Sequence, residues 1–286
     1  MIKTILVPAT GTDADDAVFA EALNVARHFT AHIDVLHVRI DPVEAVGALV
    51  SDVGGATISS SLMDRLEEES AQIEAKARKA FQSFCTRAEV VVAAAPSPSQ
   101  TISASWHREI GRESYWLAEY GRTSDVLVVG RPIENRGVMP WTLEAALFDS
   151  GRPLLIPGPV PKSLTTIAIA WKATREAAKA VAAAMPFLKE AKRIVILTAT
   201  EKHPVDRHSA ARLLVTLKRH DLDVEVRHLQ PDSHSAAETL LAAANEIHAG
   251  LLVMGGYGHS RLRELVFGGV TEHVIKSAAL PVLMAH

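Results

Sequence analysis

Two tandem doubly wound α/β domains, each built on a parallel sheet, are the fold that this sequence predicts. Three observations predict it. Short apolar runs alternate with Ala-rich amphipathic segments along the whole chain. The apolar runs lack strict period-two alternation, as strands covered on both faces do. The second half repeats the plan of the first, and 286 residues suit two domains of ordinary size.

The first half opens with Thr4-Ile5-Leu6-Val7-Pro8 and the second with Thr166-Ile167-Ala168-Ile169-Ala170, each leading into an Ala-rich helical segment. Asp125-Val126-Leu127-Val128-Val129-Gly130 matches Gly250-Leu251-Leu252-Val253-Met254-Gly255 at an offset of 125, whereas Glu144 and Pro153 match Glu272 and Pro281 at an offset of 128. The chain therefore reads as an internal duplication, residues 1–160 and 161–286, joined at the proline-rich stretch Pro157 to Ser163. The loop after Gly130 is three residues shorter than its counterpart, the difference of the two offsets.

Helices are predicted over Ala14 to Phe29, Leu62 to Cys85, Arg108 to Thr123, Arg175 to Leu188, Ser209 to His220, Ala236 to Ala249 and Val270 to Ala278. Strands are predicted over Ile33 to Val38, Glu89 to Ala93, Ile194 to Thr198 and Asp223 to His228, with closing strands at Leu154 to Pro157 and Val282 to Ala285. The closing strands are expected to pair antiparallel, because an unpaired apolar edge is a liability. Pro42 to Ser61, rich in Gly, Ser and Ala, reads as a long connection. Trp106-His107-Arg108-Glu109 reads as a turn leading into a capped helix start.

Composition narrows the function classes. Hydrophobic residues make up 48% and charged residues 22%, with net charge −3 and no block of like charges, which fits a soluble globular protein without a nucleic-acid surface. The N-terminal apolar run is too short for a signal peptide and no segment has the length of a membrane span, so the expected compartment is the cytosol. Cys85 is the only cysteine, which excludes an internal disulfide; its neighbours Phe81 and Phe84 suggest a buried thiol. The thirteen histidines, His203, His208, His228 and His234 among them, show no metal-ligand spacing, and none is expected to hold a metal.

The motif that carries chemistry lies near the C-terminus. Gly255-Gly256-Tyr257-Gly258-His259-Ser260 follows a strand directly, and Gly268-Gly269-Val270-Thr271-Glu272, separated from Gly258 by nine residues, opens a helix. Glycines at a strand end let backbone approach a ligand closely, and a helix start offers free N–H groups and the positive end of a dipole. Both favour a phosphate. The pattern is neither a Walker A loop nor the G-x-G-x-x-G fingerprint. The first copy reads Gly130-Arg131-Pro132-Ile133-Glu134-Asn135-Arg136-Gly137, which loses the spacing and cannot form the same cradle. No G-x-S-x-G elbow is present for a serine hydrolase.

This spacing, glycine, two residues, glycine, nine residues, glycine, resembles the nucleotide-binding motif of the universal stress protein family. The resemblance continues through Thr271-Glu272-His273-Val274-Ile275-Lys276 to Pro281-Val282-Leu283-Met284, which look like that family's last helix and strand. It implies a Rossmann-like fold of the adenine-nucleotide α hydrolase type. It also implies an adenine nucleotide, ATP or a relative with or without Mg, held by Gly255, Gly258, Gly268 and Gly269, with His259, Ser260, Val270 and Thr271 nearby.

Two positions depart from the family pattern. Gly269 stands where ATP-binding members carry Ser or Thr, and the missing hydroxyl is worth roughly 1.5–3 kcal/mol as a hydrogen bond to a charged group. The Asp that contacts the nucleoside in the family is Thr10 in the first copy and Lys172 in the second, where the ammonium could reach a phosphate or ribose oxygen instead. The resemblance implies a cytosolic stress-response protein that binds a nucleotide in its C-terminal domain, with at most slow ATP hydrolysis. Its halves would pair as an internal pseudo-dimer, with a homodimer of the whole chain as a further expectation. The alternative is an interaction module of the same fold that has lost the nucleotide and works through protein partners. The Ser-Gly-Gly-x-Asp-Ser loop and the His-Ile-Gly-His element that mark related enzymes are absent from the sequence.

Overall fold

The computed structural model describes residues 1–42, 60–93, 101–132, 138–199, 205–230, 235–256 and 269–286. Ile2–Ser150 and Gly151–His286 form two compact units. The expected connection Pro42 to Ser61 falls, from 43 to 59, outside the described residues.

The first unit runs β1 (Thr4–Pro8), α1 (Ala14–Phe29), β2 (His32–Arg39), α2 (Ser60–Ala88), β3 (Val91–Val92), β4 (Ser103–Ile110), α3 (Glu113–Gly121), β5 (Val126–Val128) and α4 (Pro140–Glu144), which a π-helical turn extends to Asp149. Its strands lie in the order β3-β4-β2-β1-β5, all parallel. Ile5, Leu6 and Val7 on the central strand are fully buried, which explains the missing alternation: helices cover both faces. Helix α1 carries Asp15 and Asp16 in its first turn and Arg27 and His28 in its last, charges that complement its dipole, and Thr30 ends it in the left-handed conformation.

Helix α2 has 29 residues. At the helical rise it is about 43 Å long, against about 26 Å for an eight-residue strand, so it must overhang the sheet. Ion pairs from Glu67 to Arg39 and from Glu74 to Arg108 (2.8 Å) tie it to the ends of β2 and β4. Towards its C-terminal end Phe84 stacks on Phe19 of α1 with centroids 5.0 Å apart. Cys85 beside it is buried, as its neighbours suggested, and burial pushes its thiol up to about 11.

The stretch around Trp106 corrects the sequence reading. Trp106, His107, Arg108 and Glu109 belong to strand β4, and the helix expected from Arg108 is α3, from Glu113. The polar residues of β4 hid the alternation. Ser105 and His107 pair in register with Asp34 and Leu36 of β2. Asp34 accepts from the Ser105 hydroxyl at 2.6 Å and contacts His107 Nε2 at 2.9 Å and His32 Nε2 at 3.2 Å. A polar strand thus meets its partners on a neighbour 71 residues away in sequence. Burial works to raise the Asp34 carboxyl, but the hydrogen bonds from His107, His32 and Ser105 outweigh it and hold the group below the ordinary carboxylate range.

The second unit runs β6 (Leu154–Ile156), β7 (Thr166–Ala170), α5 (Arg175–Glu190), β8 (Arg193–Ala199), α6 (Val205–Lys218), β9 (Val224–Leu229), α7 (Ala236–Glu246), β10 (Leu251–Gly255), α8 (Gly269–Ser277) and β11 (Val282–Ala285). The order is β6-β11-β10-β7-β8-β9. All contacts are parallel except that of β6 with β11, where Leu154, Leu155 and Ile156 face Met284, Leu283 and Val282 antiparallel. Thr174 caps α5 by accepting from the Ala177 N–H, and Ser235 with Glu238 forms a full capping box on α7. In each unit the chain leaves the central strand in one direction and returns on its other side, between β1 and β5 or between β7 and β10. The crevice beyond those strand ends is where open α/β sheets hold ligands.

Asp34→Asn is expected to cost about 1.5–3 kcal/mol at pH 7, the worth of hydrogen bonds to a charged group. Because the folded carboxyl titrates below its unfolded value near pH 4, its contribution is complete above about pH 5 and fades as the pH falls. Urea unfolding of both proteins at pH 7 and pH 3 should show the gap narrowing in acid.

Candidate functional site

Strand β10 delivers Gly255 to the C-terminal edge of the sheet, beside β7, whose Ala170 pairs with Met254. A Cβ on Gly255 would lie 2.5 Å from the Ala177 nitrogen and 2.7 Å from the Glu176 carbonyl carbon. The first turn of α5 therefore demands a glycine here whether or not a ligand binds, a cause that the spacing alone did not reveal. Gly256 continues the edge: its N–H donates to Ala285 O at 3.0 Å, and its carbonyl accepts from His286 Nδ1 at 3.1 Å. Gly258, His259, Ser260 and Gly268 lie outside the described residues.

The chain re-enters at Gly269, the first residue of α8. A Cβ there would meet no atom within 4 Å, so the position is open to a side chain. Val270 is exposed and Thr271 buried, while Glu272 in the first turn pairs with Lys276 at 2.7 Å. Lys172, exposed, follows the end of β7, and its carbonyl accepts from the Thr174 N–H at 2.7 Å in the turn that opens α5. The structure thus brings Lys172, Gly255 and Gly256 to neighbouring strand ends. Next to them Trp171 donates its indole N–H to Ser209 Oγ at 3.0 Å and lines a groove of about 370 Å³ with Thr174, Leu213 and Arg212.

The first unit fills the equivalent edge with its own groups. The Thr10 N–H and hydroxyl donate to Asp15 Oδ1 at 2.9 and 2.8 Å, and the Gly11 N–H to Oδ2 at 2.8 Å. Asp15 is only 2% exposed, and burial raises its carboxyl despite these donors. The overhang of α2 presses on the same loop: a Cβ on Gly11, at φ +72°, would lie 2.7 Å from Ile73 O. His37 underlies the loop, its Nδ1–H donating to Ala9 O at 2.8 Å, with its ring stacked on Trp106. Burial lowers the Arg131 guanidinium, while Ile133–Gly137 lie outside the described residues. Sequence reasoning looked for a carboxylate at Thr10 and missed Asp15. The acidic start of α1 was the available signal.

Among the described residues no group of three His, Cys, Asp or Glu side chains is placed to hold a metal ion. Of the four histidines singled out in the sequence, His203 and His234 fall outside the described residues.

The match to known proteins follows the second unit. The universal stress protein family matches residues 164–286. This segment belongs to the universal stress protein family. The stress response protein NhaX of Bacillus subtilis (strain 168) is 31% identical over 74 residues, 26% of this chain and 42% of NhaX, so the matched region spans less than half of that relative. The fold extends over both units: a universal stress protein from Archaeoglobus fulgidus DSM 4304 superposes with a TM-score of 0.68 at 15% identity, covering 99% of this chain and 97% of that one. Among the described residues no helix is long and apolar enough to cross a membrane.

Gly255→Ala is expected to destabilise the protein by about 1–3 kcal/mol, because the added methyl meets backbone and not a flexible side chain. Denaturant unfolding without any ligand measures it. An unchanged midpoint would mean that α5 does not set this glycine.

Proposed function

We propose that the universal stress protein domain at residues 164–286 binds an adenine nucleotide, ATP or a relative with or without Mg, and acts as a nucleotide-responsive regulator in the cytosol with no efficient turnover. The single observation that carries this reading is the glycine spacing of residues 255–269, which starts at the switch-point end of β10 and finishes at the first residue of α8. Backbone N–H groups at a helix start and the ammonium of Lys172 at the neighbouring strand end are groups that suit phosphate oxygens. Asp15 supports confining the nucleotide to this domain. It occupies the N–H groups of the first loop with a carboxylate that the chain itself supplies.

The same reading includes a pairing of the two halves as an internal pseudo-dimer. A homodimer of the whole chain is part of it as well. The second reading, an interaction module without nucleotide, is favoured by the absence of a hydroxyl at Gly269 and of a carboxylate at Lys172.

Protein purified without added ligand should release an adenine nucleotide detectable by mass spectrometry, and calorimetry should show ATP binding that Gly258→Val abolishes. Unchanged affinity in that variant would remove the glycine loop as the site. The open space at Gly269 leaves room for a serine, so Gly269→Ser should tighten ATP by up to about tenfold through one added hydrogen bond, and ADP and AMP by less. No released nucleotide and no titration signal would leave the partner-binding reading in its place.

A further inference from the structure

We propose that His286 is a positioning residue for nucleotide binding, fixing the Gly256 peptide at the mouth of the glycine-spaced segment. The inference rests on the nucleotide reading of the second domain.

Both polar groups of the Gly256 backbone are held by consecutive residues of one strand end. Its N–H donates to Ala285 O at 3.0 Å, and its carbonyl accepts from the His286 ring at 3.1 Å. A carbonyl only accepts, so Nδ1 must carry the hydrogen, which fixes the tautomer when the ring is neutral. The register of β10 with β11 ends at Gly255 opposite Ala285. The imidazole therefore adds one further rung where the main-chain ladder stops, and it does so at the last described residue before the loop.

The main chain of His286 is anchored as well. The His286 carbonyl accepts from Lys179 Nζ of α5 at 3.0 Å. One residue before Gly256, the backbone of Gly255 is pressed against Ala177 on the same helix. Helix α5 therefore constrains both residues at the mouth of the loop, Gly255 by direct contact and Gly256 through His286. Glu176, between these contacts, keeps its carboxyl below the ordinary range through the bond from its own N–H, with Thr174 and the nearby Arg175 and His286 adding to it. A Gly256 peptide already held in place loses less conformational freedom on binding, and that difference appears as affinity.

Three variants test the role. Asn is the conservative replacement, because its amide nitrogen is bonded to Cγ as Nδ1 is and carries a hydrogen towards the same carbonyl. His286→Ala should weaken ATP binding in calorimetry by roughly threefold to tenfold, the range of one ordinary hydrogen bond, and His286→Asn should stay within about twofold of wild type. Lys179→Ala, which leaves the ring in place, should weaken binding less than His286→Ala. Amide exchange at Gly256 without nucleotide should be faster in His286→Ala and restored in His286→Asn. Ala binding as tightly as wild type, or Asn binding no better than Ala, overturns the proposal. If wild type binds no nucleotide, the functional reading falls by itself. Amide exchange still decides the anchoring of Gly256 in that case, and equal rates in wild type and His286→Ala overturn it.

Discussion

The second domain depends on one close contact, between the end of β10 and the first turn of α5. The two backbones approach so nearly that no Cβ fits at Gly255. That contact sets where the glycine loop begins relative to the turn carrying Lys172 and Thr174, since this turn runs directly into α5. It also puts the α5 side chains Glu176 and Lys179 within reach of the strand end, where Lys179 holds the carbonyl of His286. A glycine conserving space for a helix and a glycine conserving space for a phosphate look alike in a sequence. Here the helix accounts for the first of the run, and Gly258 and Gly268 lie outside the described residues.

The two units differ in the chemistry of their crevices. In the first unit a buried carboxylate gathers the N–H groups of the loop after β1, and α2 bears down on Gly11. Asp15 thus supplies internally the negative charge that such a loop favours near a helix start. In the second unit the equivalent turn has Lys172 and a capping Thr174, and α6 is a helix of 14 residues where α2 has 29. The groove beside Trp171 lies open between α5 and α6.

Polar residues decide which parts of the fold were hard to read. Ser103, Ser105 and His107 break the apolar look of β4, and their partners Asp34 and His32 sit on β2. A window moving along the chain sees the serines and histidine without the carboxylate that makes them suitable for a strand. The helices with strong amphipathic period were legible to within a few residues, α1 at both ends and α5 at its start. Helix α3 was placed too early because Arg108 and Glu109 are good helix formers in isolation, and Gly111 at φ +121° separates strand from helix.

By itself the sequence determined the α/β class, the buried parallel strands and the glycine spacing, because each is a local pattern of apolarity or of residues with special backbone freedom. Only the tertiary structure decided that Gly255 answers to α5, that Asp15 saturates the first loop and that His286 holds Gly256. Those are contacts between segments far apart in the chain or between a side chain and a backbone group with no sequence signature. A pattern along the chain records what each residue prefers, and only the packed structure shows which partner satisfies it.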